Sequence, residues 1–294
     1  MNTNMAKAVV IIPHYNDVKR LQVCLSSLMT NDTTGIDIIV VDNGSTQSLE
    51  DTQSKFPNVR FFVENEPGAA AARNRGVDES TAELLFFIDA DCVAAPDWLG
   101  VAMKVMPKAD LIGGRVDVFD ETPAPRSGAE AFETIFAFNF QNYIEVQGFT
   151  GAGNLLTRRD VFLDTGGFRG GVSEDRDWSM RAVAKGYKLI YENDLVVSHP
   201  TRSDWPALRH KWQRLTNELF ASHETDKGTG FSARLVWALR AIAMPVSAVA
   251  HMPKIIFSTR LSSMQEKIRA GFTLIRLRCL RMVWMLKQAT SGSL

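Results

Sequence analysis

Apolar and polar positions along the first two hundred residues come in short alternating blocks. Lys7 to Ile12 is a run of Ala, Val and Ile that stops at Pro13 and predicts a buried strand. Val18, Leu21, Cys24, Leu25 and Leu28 then recur at helical spacing, with Asn16 or Asp17 placed to cap that helix. Ile36 to Val41 predicts a second strand, closed by Asp42-Asn43-Gly44-Ser45, and Val59 to Val63 a third. The alanines before Arg73-Asn74-Arg75-Gly76 give a slim helix face suited to close packing on a sheet. Leu84 to Ile88 is unbroken and apolar, which suits a strand covered on both faces, and it runs into Asp89-Ala90-Asp91. Continued extended alternation would point Asp89 and Asp91 the same way. Strand and helix patterns alternate about every dozen residues, which is βαβ architecture with an open parallel sheet.

The second half is less regular. Asp110 to Val118 predicts a strand interrupted by Gly113-Gly114, and residues 120–128, with Pro123 and Pro125, a loop. Residues 129–145 hold Phe132, Phe136, Phe138, Phe140 and Tyr143, suited to a core or to lining an acceptor groove. Glycines 148, 151 and 153, ahead of Asn154, allow close approach of backbone to a ligand. Arg158 to Asp164 predicts a short helix stopped at Gly166-Gly167. Ser173-Glu174-Asp175-Arg176-Asp177 opens another, which carries Arg181 and ends at Gly186. Acids suit a first helical turn, but three carboxylates in four residues exceed what capping needs, and one could take a proton from a hydroxyl. Lys188 to Tyr191 and Leu195 to Ser198 predict two strands, with His199 after the second.

Beyond residue 204 the pattern is helical. Residues 231–257 are apolar, but Arg240, Pro245, His251 and Pro253 interrupt them, which argues against a bilayer-spanning helix. Residues 261–287 mix Phe272, Leu274, Ile275, Leu277, Leu280, Val283 and Trp284 with arginines, as in an amphipathic helix on an anionic membrane surface. A cap packed on the catalytic domain, or a homodimer interface, would use the same pattern. Net charge sharpens the contrast: residues 231–294 carry ten basic side chains and one acid, +9, against −9 for the rest of a neutral chain of 294 residues. Leucine-type residues dominate this tail, which disfavours nucleic acid as its partner. Three cysteines, odd in number and far apart, favour a reducing compartment without disulfides. The polar start, Met1 to Lys7, reads as no leader peptide.

In an open parallel sheet the carboxyl ends of the strands share one crevice. Those ends here carry His14, Tyr15 and Asn16, then Asp42 and Ser45, then Arg73 on the following helix, then Asp89 and Asp91. An aromatic ring, an acid that accepts from a base N–H and an arginine suit a pyrimidine nucleotide. Paired carboxylates suit Mg²⁺ or Mn²⁺ on its diphosphate. The dinucleotide glycine fingerprint and the Walker phosphate loop are both absent after the first strand, which excludes NAD and P-loop chemistry.

Several stretches together resemble the family 2 glycosyltransferases of the GT-A fold. They are Pro13-His14-Tyr15-Asn16, Val41-Asp42-Asn43-Gly44-Ser45, Gly68 to Gly76, Phe87-Ile88-Asp89-Ala90-Asp91, the glycine loop 148–154, Gly166-Gly167-Phe168, and Glu174-Asp175 with Asp177 and Arg181. Order and spacing agree over about residues 7–200. The resemblance implies an α/β nucleotide-binding domain whose mixed, mainly parallel sheet is flanked by helices, followed by a C-terminal helical extension. On that basis residues 1–203 form the catalytic domain, with a nucleotide-sugar half over about 1–118 and an acceptor half over about 119–203, and 204–294 form a basic amphipathic helical region.

The resemblance further implies a nucleotide-diphosphate sugar donor, UDP by family habit, a divalent Mn²⁺ or Mg²⁺, and inversion at the anomeric carbon. The acceptor would be a saccharide or lipid-linked precursor of a surface glycan. Pro13, Tyr15, Asn16, Asp42, Ser45, Gly68, Arg73 and Asp89 would hold the donor. Asp91, with Asp89 and His199, would hold the metal. Asp175 would be the general base beside Glu174, with Gly151, Gly153, Asn154, Asp177 and Arg181 on the acceptor side. The frequent second aspartate after Asp42 is Asn43 here, and Lys211-Trp212-Gln213-Arg214-Leu215 does not match the Gln-x-x-Arg-Trp signature of processive synthases. One sugar per encounter is therefore expected, at the cytoplasmic side of a membrane and peripheral to it. The alternatives are a non-catalytic nucleotide-sugar-binding scaffold, and a sugar nucleotidyltransferase, which would want a glycine- and arginine-rich loop in place of Pro13-His14-Tyr15-Asn16.

Overall fold

A computed structural model describes residues 6–171 and 173–291; part of the polar start and the last three residues lie outside that range. The chain forms two compact units, Met1–Asp117 with Asn139–His199, and Val118–Phe138 with Pro200–Leu294. This is not a single cut after residue 203. Residues 118–138 group with the C-terminal helices because Ala129, Ala131 and Phe132 share a core with Leu208, Leu274 and Leu277.

The first unit is built on an eight-stranded sheet. Its strands are β1 (Ala8–His14), β2 (Ile36–Asp42), β3 (Arg60–Val63), β4 (Leu84–Ile88), β5 (Val93–Ala94), β6 (Leu111–Phe119), β7 (Asn154–Arg158) and β8 (Leu189–Pro200). They lie in the order β3-β2-β1-β4-β7-β6-β8-β5. The β3-β2-β1-β4 half is parallel, and β7 then pairs antiparallel with both β4 and β6. The sheet is thus mixed, with a parallel half over β3-β2-β1-β4.

Odd and even residues of the central strands go to opposite cores. Val10, Ile12, Val40, Phe86 and Ile88 pack with Leu21 and Leu25 of α1 (Val18–Leu28) and Trp98 and Leu99 of α4 (Trp98–Val105). Val9, Ile11, Val41, Leu85 and Phe87 pack with α3 (Ala69–Asp78), α7 (Arg159–Thr165) and α8 (Glu174–Ala184). Burial on both faces explains why these strands read as continuous apolar runs. The alanine face of α3 seats as expected: a side chain on Gly76 would strike Ile11 Cγ2. Asp17 caps α1, accepting from the backbone N–H of Arg20.

Three expectations change. β6 is continuous through Gly113-Gly114; the glycines are there because added side chains would strike Thr150 and Asn154. The two strands expected over 188–198 are one, β8, whose start is half-buried and whose end is buried. The chain between β4 and β5 is a turn, not a continued strand, and this bears directly on the acids.

The second unit contains α5 (Gly128–Phe136), α9 (Trp205–Lys227), α10 (Phe231–Ile256) and α11 (Met264–Ser291), while α2 (Glu50–Lys55) and α6 (Phe140–Glu145) complete the helices of the first. A capping box between Ser127 and Glu130 starts α5. Pro245 and Pro253 do not break α10, which runs 26 residues and is long and apolar enough, by length and composition, to cross a membrane.

Candidate active site

The parallel register sets His14 at the end of β1 beside Asp42 at the end of β2. Nδ1 of His14 lies 3.0 Å from Asp42 Oδ1. The backbone N–H of Asp17 donates to His14 Nε2 at 3.1 Å. Nε2 is therefore the acceptor, and Nδ1 carries the proton donated to Asp42. Ser45 Oγ donates to the same carboxylate oxygen at 2.5 Å, and its N–H donates to the other oxygen at 3.2 Å. The N–H of Asn16, in left-handed backbone at φ 49°, donates to Ser45 Oγ at 2.8 Å. Tyr15 is exposed beside Asn16 in sequence. Asn16, Asp42 and Ser45 are thus one hydrogen-bonded group.

Asn43 belongs to the support of this group. Its side chain accepts from the N–H of Gly68 at 2.6 Å and donates to the carbonyls of Glu64 and Glu66. An aspartate could accept from Gly68 but could not donate to the carbonyls, which accounts for the amide here. Gly68, at φ 120°, is the N-cap of α3.

β4 ends at Ile88. Asp89 to Cys92 form a turn in which the N–H of Cys92 donates to the carbonyl of Asp89 at 3.0 Å. The two acids come together through this turn, and not through extended alternation. Ligand atoms of Asp89, Asp91 and Cys92 lie within 4.8 Å of one another. β5 follows at once and pairs Val93 with Ser198 of β8, which brings His199 Nε2 to 3.1 Å from Asp91 Oδ2.

Arg73 joins this acidic group. Its guanidinium is almost wholly buried and donates to Asp89 Oδ1 and Glu174 Oε1, each at 2.7 Å. Burial opposes its charge, but Asp89 and Glu174, with Asp175 behind them, outweigh that and hold it firmly protonated.

Asp89 and Asp175 also flank one short stretch of backbone. A side chain on Gly153 would come within 2.6 Å of Asp89 Oδ2, and one on Gly151 would meet Phe140 at 2.8 Å and Asp175 Oδ2 at 3.4 Å. Between them, the N–H of Ala152 donates to Asp175 Oδ2 at 3.3 Å. Residues 151–153 therefore lie against both carboxylates. Enclosure and the neighbouring Glu174 raise the pKa of Asp175, against the pull of Arg73 and the N–H of Arg176. A carboxyl shifted upward is a stronger proton acceptor once ionised.

The family model for glycosyl transferase family 2 matches residues 9–170, more than half of the chain. The chain belongs to glycosyltransferase family 2. It is 30% identical over 213 residues to glycosyltransferase AglE of Haloferax volcanii, covering 69% of each chain. It is 23% identical over 232 residues to the glucosyl-dolichyl phosphate glucuronosyltransferase of that organism, covering 69% of this chain and 74% of the other. Among solved structures, a mannosyltransferase from Pyrobaculum calidifontis in complex with GDP-Man and Mn²⁺ matches with a TM-score of 0.56 at 17% identity, over 99% of this chain and 77% of that one. S. aureus TarS 1–349 in complex with UDP-GlcNAc gives 0.54 at 16%, over 98% and 92%. At such identities the likeness is one of fold.

The donor atoms of this glycosyltransferase fit a hard divalent cation. Asp89 and Asp91 offer carboxylate oxygens, both partly accessible, and His199 offers an imidazole nitrogen. Cys92 is no thiolate donor: burial and then the two aspartates push its thiol well up, and burial does the same for Cys24.

Other expected site residues are placed in supporting positions. Asn154 is wholly buried in β7, its carbonyl accepting from Trp98 Nε1 at 3.0 Å and its amide donating to the carbonyls of Arg115 and Leu195. Arg181 pairs with Asp177 at 2.8 Å and donates to the carbonyls of Thr165, Gly166 and Gly167. Asn74 clamps the backbone of Phe168 from the other side, through both its N–H and its carbonyl. These contacts fix the corner that leads into α8. Pro13 lies within β1 and is part of the strand. Residue type alone does not single out His14 or Asn74; for His14 the available signal is the register of β1 on β2.

A cleft of about 410 Å³ lined by Lys7, Leu84, Met106 and Arg158 lies at the opposite, amino-terminal ends of β1 and β4. It contains none of these groups.

Proposed function

We propose that this glycosyltransferase moves one sugar, with inversion, from a nucleotide-diphosphate sugar to a hydroxyl of a saccharide or lipid-linked acceptor. The observation that carries the proposal is that Asp89 and Asp175 share one short backbone stretch, residues 151–153, with Asp91 on the turn that bears Asp89. Asp91 and Asp89, with His199, would hold Mn²⁺ or Mg²⁺. Such a cation, when bound, supplies positive charge to the departing diphosphate.

Asp175 takes the proton of the acceptor hydroxyl. The hydroxyl oxygen bonds to the anomeric carbon from one face, and the bond to the phosphate oxygen breaks on the other. The nucleoside diphosphate leaves with the electron pair of that bond. Arg73 holds Asp89 and Glu174 in place through its two ion pairs, and Glu174 orients the acceptor. Tyr15, Asn16, Asp42 and Ser45 form the nucleobase end, and a pyrimidine, hence UDP, suits them.

A lipid-linked acceptor is supported by the similarity to a relative named for glucosyl-dolichyl phosphate. The basic tail supports a peripheral place on the cytoplasmic face of a membrane as part of this reading.

The test is a panel of nucleotide sugars with Mn²⁺, with Mg²⁺ and with chelator, read as release of nucleoside diphosphate. Thermal-shift ranking of the nucleotides comes first. One UDP-sugar should be turned over only with metal. A folded protein that binds nucleotide sugar but turns over none would leave a non-catalytic binder and sink the proposal.

A further inference from the structure

The long helical pair has surface that catalysis does not use. α10 holds no acidic residue, and its apolar side chains fall on two faces. Ala233, Trp237, Ala241, Ala248 and Ile255 are buried. Leu235, Leu239, Ile242, Val246 and Val249 stand exposed, Val249 at 73%. Their spacing alternates four, three, four and three, so they form one stripe along the outer side.

α11 repeats the arrangement. Ala270, Leu274, Leu277 and Trp284 face inward, while Met264, Ile268, Phe272 and Ile275, at spacings of four, four and three, are exposed. The helices run antiparallel, with Met252 Sδ 3.2 Å from the Cβ position of Gly271 and Trp237 Nε1 donating to Gln288 Oε1 at 3.2 Å. Phe257, which joins them, is 81% exposed. Exposed apolar stripes of this length mark an interaction surface.

Charge selects the occupant. The only acid from residue 231 onward is Glu266, which is buried and paired with Arg126, against ten lysines and arginines. A second copy would set cation against cation, and a nucleic acid would leave the apolar stripes in water. An anionic lipid surface satisfies both features. Arg240 and Lys254 lie off the outer stripe of α10, and every 20-residue span of this helix that crossed the bilayer would carry Arg240 into it.

We propose that the outer stripes of α10 and α11 dock the protein on an anionic bilayer, lying in the plane of the interface. This deepens the peripheral location proposed above and rests on it, but not on the sugar-transfer chemistry.

The test is flotation of the full chain with vesicles of phosphatidylcholine containing one-third phosphatidylglycerol, and with phosphatidylcholine alone. Donor hydrolysis is followed in the same samples. Binding should be stronger to the anionic vesicles and weaken with salt. Ile242→Glu with Val246→Glu and Val249→Glu should lower partitioning about 100-fold, since three apolar side chains no longer enter lipid. The melting temperature and donor hydrolysis should not change. A milder pair, Val246→Ser with Val249→Ser, should give an intermediate loss and guards against misfolding of the triple variant.

Wild-type protein that stays soluble with both vesicle types overturns the proposal, as does a triple variant that floats like wild type. Resistance to alkaline extraction would mean a spanning helix and overturn it too. A wild-type dimer that binds no vesicle and that the variant dissociates would assign the stripe to a second copy. Absence of donor hydrolysis in wild type alongside normal flotation would refute the enzymatic reading and leave this one standing.

Discussion

Arg73→Met isolates the bridge between the two acid groups. Arg73 is 5% exposed, and its guanidinium meets Asp89 and Glu174 at 2.7 Å each. At a charge separation of ~4 Å and an effective dielectric of ~20, each attraction is about 4 kcal/mol gross, offset by the cost of desolvating the arginine. Removing the arginine alone leaves two carboxylates facing each other without a counter-charge. Breaking buried pairs in this way costs about 3–5 kcal/mol, and the partial exposure of both acids favours the lower end, about 3 kcal/mol. The assay is urea unfolding of the single variant, of Glu174→Gln, and of the double variant. Glu174→Gln should be destabilising alone but should recover at least ~1 kcal/mol in the Arg73→Met background, because it removes one of the stranded charges. A loss below ~0.5 kcal/mol for Arg73→Met, or additive losses in the double variant, would refute the bridge.

Three further outcomes follow from the same geometry. Asp175→Asn should keep nucleotide and metal binding while turnover falls roughly 10²–10⁴-fold, measured as product formation under saturating donor. Because Asp175 is raised, the wild-type rate should climb with pH through a limb above the usual aspartate range, and Arg73→Met, which removes a stabilising cation, should move that limb higher still. Gly153→Ala places a methyl group within 2.6 Å of Asp89 Oδ2, so metal-dependent donor binding should weaken at least ~10-fold by titration calorimetry while the circular dichroism spectrum is kept. In the second unit, Lys211, buried and lowered to about 8 chiefly by burial, pairs with Glu133 at 2.5 Å. Lys211→Met should destabilise by about 3 kcal/mol in urea unfolding, and Lys211→Met with Glu133→Leu by clearly less.

Much of the nucleotide-binding half is legible in the sequence because its signals are local. Val10 to Ile12, Ile38 to Val41 and Leu84 to Ile88 read as strands since burial on both faces leaves no polar alternation. Asp17 caps α1 as its type and place predict. What stays hidden depends on distant partners. The turn at Asp89 to Cys92 arises because Val93 and Ala94 leave to pair with β8. Asn154 has the look of a loop residue, yet Trp98, Arg115 and Leu195 converge on its amide from separate elements. Gly113 and Gly114 resemble breakers, but they make room for Thr150 and Asn154. Pro245 and Pro253 resemble interruptions, and α10 continues through both because its inner face is held by packing against α11 and α9.

The tripeptide Gly151-Ala152-Gly153 is the stretch of backbone that Asp89 and Asp175 have in common. Its width is set by backbone alone, since both glycines lack room for a side chain and Ala152 is pinned through its N–H. Inserting or deleting one residue there would shift a contact with one carboxylate or the other.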